Sequence, residues 1–399
     1  MRICGLIAEY NPLHHGHIYH MEEARRLTGA DHLVVIMSGD FVQRGEPAIV
    51  DKYHRTSMAL AAGADLVLEL PVSYATGTAE RFASGAVEIL HRLSLITDLV
   101  CGAEDADDPL LSELAALLAE ESEDYRSILQ SKVKTGIGFP AARELACEAL
   151  LPGSGHLLHS PNNILAIEYR KAILRQKDCR ITPHEIPRCG SGYLDTRLPS
   201  DRSLPSASAI RRALLNSEGS ACGSLPSELR SAMPAYCTAE LPYAVSPDDL
   251  TLPLNLTLLT MTQTHAESLQ DVGTDLARRM LRQFGEHPYL TFSERAELLA
   301  GRQFTLTRTR RALLHTVLDL KESPNLPAVR ILGFRRAASG TLLRSLQDSS
   351  GIPLVTKLAD ADQAYFADDI AAAHFYHQLV WQRTGITLKD EYRQPLIIR

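Results

Sequence analysis

Short apolar blocks at 2–8, 32–37, 65–70, 97–101 and 180–186 alternate with longer stretches near 16–28, 51–62, 76–93, 109–132 and 161–176, in which apolar residues recur every three or four positions. Blocks of the first kind read as buried strands, and stretches of the second kind as amphipathic helices. Their alternation predicts an α/β fold, with βαβ units building a Rossmann-like parallel sheet through right-handed crossovers. Beyond 188 the pattern changes. Gly-, Pro- and Ser-rich segments (Arg188-Cys189-Gly190-Ser191-Gly192-Tyr193, Leu198-Pro199-Ser200 and Pro205-Ser206-Ala207-Ser208) predict surface loops. Stretches 209–240 and 260–345 are helical in pattern, and short apolar runs at 328–332 and 352–355 suggest a returning strand or two. We therefore expect a unit over 1–214 and a mainly helical region over 215–399.

Composition narrows this little. The chain has 399 residues, with 45% apolar and 22% charged, ordinary values for two or three globular domains. It lacks an apolar run of the ~18 residues that a membrane helix needs, so no membrane association is expected. Its start, Met1-Arg2-Ile3-Cys4, runs into the first strand without a signal-peptide pattern. Cysteines 4, 101, 147, 179, 189, 222 and 237 form no C-x-x-C pair, which fits reduced thiols and a cytoplasmic protein. Charge is more informative. The net of −7 argues against nucleic acid, but residues 278–344 carry 13 Lys and Arg against 5 Asp and Glu, a local excess of +8. Local fields attract phosphate backbones, so this segment is a candidate RNA-binding face.

The chemistry concentrates just after the first strand, in Asn11-Pro12-Leu13-His14-His15-Gly16-His17. Two imidazoles flanking a glycine at the start of a helix offer ring N–H donors, free backbone N–H groups and a positive dipole end. That combination suits a triphosphate under attack at its α-phosphorus. His14, His17 and His20 also invite a zinc reading, but no Cys or carboxylate set closes a four-ligand shell. The segment Ser38-Gly39-Asp40-Phe41-Val42-Gln43-Arg44-Gly45-Glu46-Pro47 follows the second strand at the same sheet edge and is expected beside the first loop. Lys52 and Arg55 sit where a helix dipole disfavours cations, which a bound anion or solvent exposure would explain. Gly102 would let a flat ring approach the backbone, Asn162 and Asn163 open a helix behind Ser160 and Pro161, and Arg188 is within reach of a phosphate. Ser206-Ala207-Ser208-Ala209-Ile210-Arg211 brings hydroxyl, N–H and guanidinium donors to one helix start, suited to departing pyrophosphate. No P-loop motif is present. Arg278, Arg279, Arg282 and Arg302, the run Thr307-Arg308-Thr309-Arg310-Arg311, and Arg335-Arg336 are the RNA candidates.

Together these motifs resemble the nucleotidylyltransferase superfamily, and the 38–47 segment resembles the bacterial tRNA(Met) cytidine acetate ligases. Pro161-Asn162-Asn163-Ile164-Leu165, Arg188, the 307–315 run and Leu332-Gly333-Phe334 extend the similarity over most of the chain, with Leu13 where Phe is common. The resemblance implies that acetate and ATP, with Mg²⁺, give acetyl-adenylate and pyrophosphate. The acetyl group then passes to N4 of the wobble cytidine (position 34) of elongator tRNA(Met). It implies His14 and His17 as catalytic residues. Ile7, Ala8, Glu9, Tyr10, Asn11, Pro12, Leu13, His14, His15, Gly16, His17, Ile18, Tyr19, His20, Gly102, Asn162, Asn163, Arg188 and Arg211 would bind ATP. Residues 1–214 become the catalytic domain and 215–399 the tRNA-binding region. Two alternatives are a small-molecule adenylyltransferase and a non-catalytic RNA-binding protein. The long arginine-bearing extension argues against the first, and the presence of both His14 and His17 against the second.

Overall fold

The computed structural model describes residues 1–188, 206–216, 231–323 and 325–399. The expected loops over 189–205, with Cys189, and the segment carrying Cys222 lie outside the described residues. The strands in chain order are β1 (Ile3–Ala8), β2 (His32–Ser38), β3 (Phe41–Val42), β4 (Glu46–Pro47), β5 (Leu66–Leu70), β6 (Ile96–Ala103), β7 (Thr182–Pro187), β8 (Val329–Phe334), β9 (Leu354–Val355) and β10 (Ile397–Ile398). Five of them lie parallel in the order β5-β2-β1-β6-β7. The five strand patterns in the sequence correspond to these five; β1, β2 and β5, covered on both faces, are apolar at nearly every position, whereas the edge strand β7 is mostly polar and buries Ile186 alone.

On β2 successive residues serve opposite cores. Leu33, Val35 and Met37 face one, and Val34 and Ile36 the other. The second core takes the helices Ala79–Arg92 and Pro161–Arg175. The first takes α1 (His15–Thr28) and α2 (Lys52–Ala62), together with Leu254, Leu276, Phe292, Leu313 and Tyr376 from the C-terminal half. The helical region is therefore packed onto the sheet along one face.

The sheet also runs past the expected division at 214/215. β8 pairs antiparallel with β5, and β9 and β10 flank β8 in parallel, so the apolar runs at 328–332 and 352–355 do return strands. Other differences are local. The expected helix over 109–132 is two, Leu110–Glu120 and Glu123–Lys134, separated by Glu121 at φ +48°. Ser122 caps the second by accepting from the Tyr125 N–H at 3.3 Å. The helix Phe139–Leu150 was not expected, nor was Ala367–Thr384 within the strand-suggesting C-terminal stretch. No helix among the described residues is long and apolar enough to cross a membrane.

Candidate active site

Where β1 ends, the chain turns sharply. Tyr10 adopts φ +47°, and His14 follows in extended backbone as the N-cap of α1. The cap is reciprocal. His14 Nδ1 accepts the Gly16 N–H at 3.0 Å, and His17 Nδ1 accepts the His14 N–H at 3.2 Å. Each ring thus spends its Nδ1 lone pair on the backbone, which places the neutral ring's proton on Nε2. The rings lie 4.0 Å apart, with Tyr10 edge-on to His17 at 5.0 Å. Burial, then Arg188, His15 and Arg211, push His14 down to about 3. Burial, then His14, His20 and Arg188, hold His17 well below its ordinary value. His20 donates from Nε2 to the Val100 carbonyl at 3.1 Å and is pushed down to about 4, chiefly by burial. All three rings are neutral at physiological pH and act as N–H donors. Gly16 serves this cap as much as any ligand, since a Cβ there would come within 2.8 Å of the His14 ring.

Polar staples hold the two loops together. Asn11 accepts the Ile49 N–H at 2.8 Å, and Glu9 accepts the Gln43 N–H at 3.0 Å. Arg55, fully buried, donates to the carbonyls of Glu9, Ser38, Gly39 and Val50. Lys52 is equally buried, 2.7 Å from Glu69 and 3.1 Å from Glu391. The expectation that Lys52 and Arg55 face a bound anion or solvent is therefore corrected: both cations are consumed by interior oxygens.

A cavity of about 230 Å³ opens at the carboxyl end of the sheet, where α/β folds place their ligands. Ile7, Ala8, Glu9, Tyr10, Asn11, His14, Gly16, His17, Tyr19 and His20 line it, as do Gly102, Asn162, Arg188 and Arg211. Five expected residues do not. Leu13 is wholly in the core, Ile18 packs against that core, and Pro12 is buried. His15 is only half-buried and lies off the cavity, because one helical face carries 14, 17 and 20 at a spacing of three. Asn163 is fully buried and accepts the N–H groups of Glu104 and Asp105 at 2.9 and 3.1 Å. Asn162 faces the cavity and donates to Glu104 at 2.6 Å. The structure thus separates the two asparagines, one toward the cavity and one holding the strand-end turn.

Other lining residues were not singled out individually. Gln43, Arg44, Leu165, Ser206, Ala207 and Ser208 come from segments the sequence had flagged, whereas Phe82, Tyr169, Ile186 and Pro187 carry no signal that distinguishes them from core. Ser206 caps the helix Ala207–Asn216 by accepting the Ala209 N–H. Arg211 donates to the Asn11 carbonyl at 2.8 Å, and both Arg211 and Arg44 reach Ser208 Oγ at 3.3 Å. Among the described lining residues Glu9 is the one carboxylate, raised by burial against the opposing pull of Arg44.

The arginine-rich segment meets this site through the β3–β4 hairpin. Gly45, at φ +75°, lets the helix Leu306–Leu318 lie against it; a Cβ would fall 2.3 Å from the Arg311 nitrogen. Glu46 sits between Arg211 at 3.4 Å and Arg310 at 3.6 Å. Part of the expected RNA face is accordingly interior. Arg311 pairs with Asp271 at 2.7 Å, and Arg295 and Arg330 are buried. Arg335 lies 3.6 Å from Asp65. Arg278, Arg282, Arg302, Lys321, Arg336 and Arg344 remain exposed.

Comparison with known proteins agrees with this geometry. The pattern of the HIGH Nucleotidyl Transferase family matches residues 1–390. A tRNA(Met) cytidine acetate ligase of Acetivibrio thermocellus is 37% identical over 378 residues, covering 90% of this chain and 89% of that protein. One from Thermoanaerobacter sp. is 35% identical, with both chains covered fully. The crystal structure of apo TmcAL from Thermotoga maritima superposes with a TM-score of 0.88 at 28% identity, covering 100% of this chain and 99% of that one. The same protein bound with alpha-thio ATP gives 0.86 at 27% identity, with the same coverage.

Proposed function

Because the chain belongs to the HIGH nucleotidyl transferase family, and within it to the tRNA(Met) cytidine acetate ligases, we propose that the cavity holds ATP while an acetate oxygen attacks the α-phosphorus. The observation that carries this reading is the reciprocal cap, which leaves two neutral Nε2–H donors beside Arg44 and Arg211 in one cavity. The enzyme is an ATP-dependent ligase acting on tRNA(Met). In the first step an O–P bond forms and the bond to the β-phosphate oxygen breaks, so pyrophosphate leaves with the electron pair. His14 and His17 donate to oxygens that gain charge, and Arg44, Ser208 and Arg211 receive the β- and γ-phosphates. Gly102, Asn162 and Arg188, which line the same cavity, are left to hold the nucleoside. In the second step N4 of the wobble cytidine attacks the acyl carbon, the C–O bond to AMP breaks, and N4 releases a proton.

Glu9 is the single described carboxylate in the lining, and no group of three or more metal-ligating side chains occurs among the described residues. The donor set therefore does not form a cage for Mg²⁺, which would travel on the triphosphate oxygens with its own waters. We place the protein in the cytoplasm, with its substrates. The test is direct: ATP, acetate and elongator tRNA(Met) together yield N4-acetylcytidine and pyrophosphate, and omitting acetate abolishes both. Modified base formed without acetate would refute the reading.

A further inference from the structure

A second cavity, also about 230 Å³, adjoins the first and shares Ser208 and Arg211 with it. The shared pair belongs to the end of the nucleotide cavity that carries Arg44, Arg211 and the serines, which the proposed reaction vacates when pyrophosphate departs, leaving a way from the second cavity to the acyl phosphate. We propose that this second cavity is the pocket for the acceptor nucleobase, a cytosine ring presented edge-first with its exocyclic amine toward Glu46. The assignment rests on the function proposed above.

The chemistry of the walls supports it. Ile49, Leu215 and Val245 supply apolar sides for the flat ring faces. Glu46, 6% exposed, supplies an acceptor, and Arg212 and Asn216 supply donors. Cytosine offers the complement, with an amine donor at position 4 and acceptors at N3 and O2. Uracil presents an oxygen at position 4, which a carboxylate repels. Arg211 and Arg310, at 3.4 and 3.6 Å, fix Glu46 in place. Each carboxylate oxygen still has lone-pair capacity for an incoming N–H. Bases in single-stranded RNA loops are commonly splayed out and read on this edge.

Two variants of the full-length enzyme test the pocket. Asn216 is exposed at the rim of the second cavity and does not line the first. Asn216→Trp should fill it, lowering acetyl transfer to tRNA at least thirtyfold more than acetate-dependent ATP–pyrophosphate exchange. With Glu46→Gln, unmodified tRNA(Met) and the same tRNA carrying uridine at the wobble position are compared as competitors of transfer. Wild type should prefer the cytidine form at least tenfold, and the variant should lose that preference. Transfer by Asn216→Trp within threefold of wild type, or a Glu46→Gln enzyme that still separates the two RNAs as wild type does, overturns the pocket. If wild type shows neither acetate-dependent exchange nor acetylcytidine, the underlying function is what fails.

Discussion

Two groups of buried polar side chains lie near the 38–47 loop, and they are built on opposite rules. On the cavity side His14, His17 and His20 are neutral, and each commits one ring nitrogen to the backbone. On the other side Lys52 lies among Glu69, Glu391 and Asp40, with Arg330 reaching Glu391 and Tyr53 donating to it at 2.9 Å. Burial pushes the Lys52 ammonium down, but Glu391 and Glu69 outweigh it and hold it well above its ordinary value. Burial raises Glu391, and Lys52 and Arg330 overcome that to bring it to about 2. One group is uncharged and faces a cavity; the other is charged and closed on itself. A buried cation with carboxylate partners is thus part of the frame, whereas a buried neutral donor beside open volume is available for a ligand.

Breaking the closed group should have the largest effect. Lys52→Met leaves the buried carboxylates Glu69 and Glu391 with Arg330 as their one shared cation, and we expect a loss of about 3–5 kcal/mol in denaturant unfolding. A loss below ~1 kcal/mol would remove the contrast. In the cavity group the cost moves from stability to rate. His17→Ala should lower acetate-dependent exchange by about 10²–10³, the usual size for deleting one charge-stabilising donor. The lost cap should lower stability by only about 1 kcal/mol; exchange within threefold of wild type would contradict the assignment.

The neutral rings also predict a pH dependence. His20 has its pKa at about 4 in the fold and ~6.5 when unfolded. Between these values the unfolded chain binds more protons, so stability is full above ~6.5 and declines as pH falls through that window. His20→Gln should remove about 2 kcal/mol of the loss measured at pH 5; an unchanged Tm–pH slope would contradict this. The smallest effect is expected at the surface. Arg282→Ala should weaken tRNA binding only a few fold and reduce the salt dependence by about one unit, leaving exchange unaffected. Arg295, which donates to Asn255 and to the His287 carbonyl, should instead report through unfolding.

The strands and the cavity's first loop were legible because their signals are local. β1, β2, β5 and β6 are mostly apolar, and His14 through its spacing to His17 declares a helix start with donors. The other cavity walls were not. Tyr169 and Phe82 look like core residues in one sequence, and they are also buried; only position distinguishes them. Arg311 and Arg278 look alike in a basic run, yet one pairs with Asp271 across 40 positions and the other is exposed.

What the chain determined by itself was therefore everything that depends on near neighbours: strand and helix periodicity, the His14–Gly16–His17 cap, and the Ser206 cap ahead of Arg211. Tertiary structure decided which charges are spent and which are offered. Lys52 meets Glu391 and Gly45 meets Arg311 only after residues hundreds of positions apart are brought together. A buried charge takes its meaning from its partners, and those partners come from distant parts of the chain.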